Sequence, residues 1–191
     1  RAEPTTDFPV LTCEKSIPGG ARSASVGGRS LNLPGDRPGR IIIIGDTGCR
    51  IRGSQAQACN DPAAWPFAQI ADTAAALGPD LVIHVGDYFY REDPCPEGNS
   101  GCAGSPFGDN WGGWQADFLA PADSLLRKAP WVLLRGNHEI CSRGGGGWFT
   151  FLDPYPLPEE CQEFTDPYVI DIGGVDLLIL DSSSAQDNSA P

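Results

Sequence analysis

Three short strings bring together side chains able to hold a cation and act on a substrate: Gly45-Asp46-Thr47-Gly48, Gly86-Asp87-Tyr88-Phe89-Tyr90 and Gly136-Asn137-His138-Glu139. They supply two carboxylates (Asp46, Asp87), a phenol (Tyr90), an amide oxygen (Asn137) and an imidazole (His138). Oxygen donors of this kind, with a histidine beside them, suit hard or borderline cations. Two aspartates at neighbouring strand ends repel unless a positive charge sits between them. A phenol ligates well only to a strong Lewis acid such as ferric iron, because its pKa of about 10 must be driven down. His138 could be a ligand, an acid or a phosphate clamp, since imidazole can carry a proton near neutral pH. Each residue also has a plainer use. Asp46 could cap a turn, Asn137 could be a turn residue, and Tyr90 could be a core aromatic like Tyr88 and Phe89. His84, inside an apolar run, reads as a packed core histidine.

The elements that must position these strings are legible. Each string follows an apolar run, at residues 41–44, 81–85 and 131–134, that reads as a buried strand. Ligand sites in open α/β sheets form at the C-terminal ends of strands. The first strand spans 40–44, and a helix over 63–77 follows, with Phe67, Ile70, Ala71, Ala74 and Leu77 on one face. Pro66 fits its first turn and Gly78-Pro79 stops it. With the second strand this reads as a parallel crossover unit. Helices are expected over 111–119 and 121–128. The glycine run 144–147 reads as a mobile or ligand-hugging loop. Residues 168–172 and 175–180, joined by Gly173-Gly174, read as a hairpin. Residues 1–39 form an irregular lead-in with a short strand near 8–11, and 40–191 form the domain proper.

Composition narrows the partners. The chain has 191 residues, enough for one domain with a core, and a formal charge of -12 from 13 basic and 25 acidic residues. No basic stripe exists, which argues against nucleic-acid binding. No apolar stretch approaches the ~20 residues that span a bilayer. Seven cysteines, mostly in loops of an acidic, Gly/Pro-rich chain, suggest disulfides and a secreted or periplasmic setting, the lead-in being the trimmed front of an exported chain. Local pairs are plausible for Cys49 with Cys59, Cys95 with Cys102 and Cys141 with Cys161, leaving Cys13 alone. A zinc knuckle is disfavoured because no CxxC is present.

Together the three strings resemble the signature of the calcineurin-like metallophosphoesterases and, more narrowly, the purple acid phosphatases. The wider family usually has Asp-x-His in the first string. Here Gly48 occupies the His position and Tyr90 completes Gly-Asp-x-x-Tyr, a combination that marks the purple acid phosphatase branch. The match covers about residues 40–181. The resemblance implies an α/β fold, a four-layer α/β/β/α sandwich of which this chain supplies about the first half. It implies that Asp46 and Tyr90 bind Fe(III), Asp87 bridges two metals and Asn137 binds a divalent Fe, Zn or Mn ion. His138 would face the substrate phosphate, with Glu139 orienting it. The implied reaction is attack of metal-bound hydroxide on a phosphorylated small molecule, with monoesters ahead of diesters.

One departure accompanies the match. The family also uses three downstream histidines, from a lone His motif and a His-x-His motif, whereas this sequence has only His84 and His138, and neither matches. The expectation is a C-terminal segment or second chain that supplies them. The polar stretch 183–191 falls where mammalian members carry an exposed, protease-cut loop. The unpaired cysteine fits a bond to such a partner. Two rival readings stay open: a non-catalytic secreted fragment or binding module that keeps the fold, and a calcium-stabilised extracellular protein. The second has no EF-hand loop and leaves Tyr90 idle.

Overall fold

The computed structural model describes residues 2–185. The polar tail from residue 186 onward lies outside the described residues. In the lead-in the strand expected near 8–11 is replaced by a single antiparallel bridge between Ala2 and Thr12. A hairpin absent from the sequence reading forms instead, from β1 (Ala24–Val26) and β2 (Arg29–Leu31). It turns through Gly27-Gly28, both at positive φ.

Four β-branched isoleucines form β3 (Ile41–Ile44). A small hairpin, β4 (Ile51–Arg52) with β5 (Gln55–Ala56), folds within the loop after it. Helix α1 (Phe67–Ala76) begins later than the predicted 63–77. Asp61 explains the delay. Its Oδ1 accepts from the Ala63 N–H at 2.9 Å, which holds the preceding residues in a turn. Pro66 is left at the N-cap. Phe67, Ala71 and Ala74 are buried as expected, but Ile70 and Leu77 are 49% and 52% exposed, so the buried stripe is narrower than predicted. Next come β6 (Leu81–His84) and α2 (Trp111–Trp114), which continues as a π-helical segment, Gln115–Leu119. The Asn110 side chain caps α2 by accepting from Gly113 N–H at 3.0 Å. Helix α3 (Asp123–Leu126) and strand β7 (Trp131–Leu133) follow. The glycine run opens α4 (Gly145–Gly147), which continues as a second π-helical segment, Trp148–Leu152. This run is packed rather than loop-like. The Asp109 carboxylate accepts from Gly146 and Gly147 N–H at 2.7 and 3.0 Å, and a Cβ on Gly147 would lie 1.9 Å from the Trp114 ring nitrogen. The expected hairpin is β8 (Tyr168–Asp171) with β9 (Asp176–Ile179).

Strands β3, β6 and β7 form a parallel sheet in the order β3-β6-β7, with Ile41 opposite Leu81 and Val82 opposite Trp131. Alternation divides its side chains between two cores. Val82, with Ile42, Ile44 and Leu133, joins Phe67, Trp114, Phe118, Leu125 and Trp148 beneath the helices. Leu81 and Val132 meet Ile179 of the hairpin on the opposite face. The result is an α/β domain with layers in the order helix, parallel sheet, hairpin. On edge strand β3 the hairpin-side residue Ile43 stays 66% exposed.

Candidate metal centre

The first two strings continue the parallel pairing past the strand ends. Val85 N–H donates to Ile44 O at 2.8 Å, Asp46 N–H to Gly86 O at 3.1 Å, and Thr47 N–H to Asp87 O at 3.0 Å. Asp46 and Asp87 then turn into the left-handed region, at φ 53° and 64°, the only non-glycine residues there among those described. This conformation is uncommon outside glycine and persists where the surroundings over-determine it. The third string turns through a 3-10 segment, Asn137–Glu139. Gly136 lies against the second string so closely that a Cβ on it would fall 2.2 Å from Asp87 Oδ1. Only a glycine permits that approach.

The strings converge on one another. The Tyr90 hydroxyl lies 2.7 Å from Asp46 Oδ1 and 3.0 Å from Asp87 Oδ2. Asp87 Oδ1 accepts from the His138 N–H at 2.9 Å. The Asn137 amide satisfies both neighbours when its nitrogen donates to Asp87 Oδ2 and its oxygen accepts from Arg143 Nη1, each at 3.1 Å. The His138 ring stacks on Tyr90 with centroids 3.5 Å apart. Asp46, Asp87, Tyr90, Asn137 and His138 are therefore neighbours, as the strand-end placement predicted. Gly48 contributes by absence, because a Cβ there would meet the Tyr90 ring at 2.6 Å.

Electrostatics bear on what this cluster can hold. Burial and the hydrogen bond to Asp46 raise the Tyr90 phenol far above its ordinary pKa. Burial, with Asp46 nearby, raises Asp87. One phenolic proton is thus shared between two carboxylates. A cation at that point would serve the same acceptors and reverse both shifts, so the donor chemistry fits a metal. Among the described residues no group of three or more His, Cys, Asp or Glu is spaced to hold a metal. The set is two carboxylates completed by a phenol and an amide.

One residue of the third string takes a different role from the one expected, and several others that shape the site escaped the sequence reading. Glu139 does not orient His138. Its fully buried carboxylate accepts from four backbone amides, those of Asp87, Tyr88, Phe89 and Gly136, at 2.8 to 3.1 Å. Four donors favour the ionised form, whereas burial and then Asp87 push its pKa up to about 8. Asp117, buried on the π-helical segment, accepts from the N–H groups of Cys49, Tyr90 and Arg91 at 2.9, 2.7 and 3.1 Å and pairs with the Arg91 side chain at 2.6 Å. It ties the first string to the second. The available signal was its position between Trp114 and Phe118 on an apolar helical stripe, where a carboxylate must find partners. His138 is flanked by Glu92, whose Oε1 lies 3.1 Å from Nδ1, and by the Arg143 guanidinium. Burial, then Arg143, lower its pKa to about 3, so the ring is neutral here rather than poised near neutrality. No periodicity marked Glu92 or Arg143. His84 is fully buried, stacks on Tyr88 at 3.8 Å and contacts Thr47 Oγ1 at 2.9 Å, a core residue as expected.

A cavity of about 450 Å³ opens over the cluster, lined by Asp46, Asp87, Asn137, Arg143 and Ser183 among others. Each string is followed by one disulfide: Cys49–Cys59, Cys95–Cys102 and Cys141–Cys161. These are the expected local pairs, and they suit an oxidising compartment. Cys13 is free and exposed. Among the described residues no helix is long and apolar enough to cross a membrane.

A parallel sheet that gathers carboxylates, a phenol, an amide and an imidazole at its C-terminal edge belongs to the class of α/β proteins built for cation-assisted chemistry. The family model for calcineurin-like phosphoesterases matches residues 39–187, and the chain belongs to that family. The family's chemistry is metal-dependent hydrolysis of phosphoesters, generally with two divalent metals bound. A search of curated proteins found no match.

Proposed function

We propose that this chain carries the N-terminal ligand set of a secreted, binuclear-metal phosphomonoesterase of the purple acid phosphatase type. Asp46 and Tyr90 would hold Fe(III), Asp87 would bridge, and Asn137 would hold a divalent Fe, Zn or Mn ion. The supporting observation is the Tyr90 hydroxyl lying within 3.0 Å of both Asp46 and Asp87, each on its own loop. When bound, such metals supply Lewis-acid activation of the phosphoryl group and of the attacking water. The chain's own residues do the rest. The left-handed Asp46 and Asp87 aim their carboxylates at one point. His138, pinned between Tyr90 and Glu92 beside Asn137, would be the group that meets the ester's leaving oxygen. A phosphate dianion beside its ring would raise its pKa again, so that it can donate to the leaving oxygen. The histidines still needed would come from a C-terminal segment or second chain, for which exposed Ile43, Val169 and Leu178 offer apolar surface to cover.

The test uses protein expressed from its whole coding sequence, with metal analysis, visible absorption and turnover of p-nitrophenyl phosphate. Bound metal, a charge-transfer band and hydrolysis are expected. Tyr90→Phe should lose the band while keeping the fold. A variant that keeps the parent's band would remove Tyr90 from the metal. A metal-free parent that hydrolyses neither monoester nor diester would overturn the reading. His138→Ala should keep metal and lose ~10²–10⁴-fold in turnover, the usual range for a general acid.

A further inference from the structure

The guanidinium of Arg143 reaches the site from the third loop. Arg143 Nη1 donates to the Asn137 carbonyl at 3.1 Å and, with the amide as placed above, to the Asn137 side-chain oxygen at the same distance. Nη2 lies against Glu92 Oε1 and the His138 ring. Its buried Nε has no hydrogen-bond partner. Glu92, itself 13% exposed, also faces Arg52 at 3.6 Å. Arg143 also lines the cavity with Asp46, Asp87 and Asn137, a place that neutralising Glu92 does not require. Turning the Asn137 oxygen toward a cation would withdraw that acceptor from Nη1 and free one of its N–H donors.

We propose that Arg143 binds a non-bridging oxygen of the substrate's phosphoryl group and thereby favours dianionic monoesters over diesters. The proposal rests on the phosphoesterase reading above. A guanidinium stays charged and makes charge-assisted hydrogen bonds to phosphate oxygens, so one Nη1 N–H is enough to hold a terminal oxygen. A monoester offers one more charged terminal oxygen than a diester does. Glu92 holds the Nη2 side of Arg143 and so fixes the guanidinium.

The experiment compares the metal-loaded, full-length parent with Arg143→Gln and Arg143→Lys. It measures kcat and KM on p-nitrophenyl phosphate and on bis(p-nitrophenyl) phosphate, and inorganic phosphate affinity by calorimetry, with metal content checked in each. Arg143→Gln should raise the monoester KM and weaken phosphate by about 10- to 100-fold, the range for losing a charged hydrogen bond. The diester should change far less, and Arg143→Lys should fall between parent and Gln. Equal losses on both esters, or unchanged phosphate affinity, would make Arg143 a structural partner of Glu92 alone and overturn the proposal. If the Gln variant fails to fold, the Lys variant, which keeps a charge beside Glu92, decides by its phosphate affinity. A parent inactive on both esters would overturn the phosphoesterase reading instead, and phosphate affinity of parent against variants would still judge Arg143.

Discussion

The loops at the C-terminal edge of the β3-β6-β7 sheet and the lead-in before β3 are both irregular and glycine-rich, yet they are held very differently. At the sheet edge, the buried carboxylates of Glu139 and Asp117 collect four amides and three amides plus a guanidinium. The lead-in has the exposed β1–β2 hairpin and a few surface ties, such as Asn32 Nδ2 to Lys128 O at 2.6 Å and the Gly39 and Arg40 N–H groups to Asp80 at 2.8 Å. Order in non-repetitive backbone therefore comes from acceptors buried where several N–H groups point inward, since a buried N–H must be paired. Glu139 accepts from the N–H of Asp87 itself, which sits at positive φ.

The sharpest break in this contrast is Glu139→Ala. It orphans four backbone donors at once, two of them buried and two part-buried. At ~1–3 kcal/mol per unsatisfied group, the loss is about 5 kcal/mol or more, read by urea denaturation, and the second and third strings should separate. Asp117→Asn comes next at about 3 kcal/mol, because Arg91 would remain buried without its counter-charge. That variant also carries a pH signature. Burial, opposed by Arg91, leaves the folded-state pKa of Asp117 at about 6, above the ordinary carboxylate value. The folded chain then holds the extra proton between about pH 4 and 6, so this group's contribution favours folding on the acid side and declines as pH rises through that window. Asp117→Asn should flatten that slope in thermal melts. A slope unchanged in the variant would show that Asp117 is not its source.

Smaller still is Gly136→Ala, whose Cβ would meet both Asp87 Oδ1 at 2.2 Å and the Asp87 backbone nitrogen at 2.3 Å. Overpacking of this kind costs about 1–3 kcal/mol, and metal content should fall more than stability does. The least effect belongs to the lead-in. Val26→Ser, on an exposed strand, should shift stability by no more than about 0.5 kcal/mol. A loss as large as that of Gly136→Ala would erase the contrast between the two regions.

The strands and the side chains gathered at their ends were legible for one reason: apolar runs ending in Gly-Asp or Gly-Asn are local patterns. The supports were less legible because they act across the chain. Glu139 bonds to residues about fifty positions away, and Asp117 reaches Cys49 across 68. The hairpins show the same divide. Gly173-Gly174 stands between apolar alternating runs and was recognised. Gly27-Gly28 carries the same turn chemistry, but its three-residue strands are too short and exposed to show a pattern. The delayed start of α1 reflects the Asp61 turn competing with the helix for its first amides. The glycine run 144–147 looked open because glycine has no side chain to announce burial, and it is in fact packed against Trp114.

The central claim is that Asp46, Asp87, Tyr90 and Asn137 form one cation site on three loops. Its most direct test is the metal content per chain of the full-length protein beside Asp87→Ala, with circular dichroism confirming that both are folded. Because the proposed role of Asp87 is to bridge two metals, the parent is expected to be loaded and the folded variant to lose metal from both positions. A folded Asp87→Ala protein that retains the parent's full metal content would contradict it.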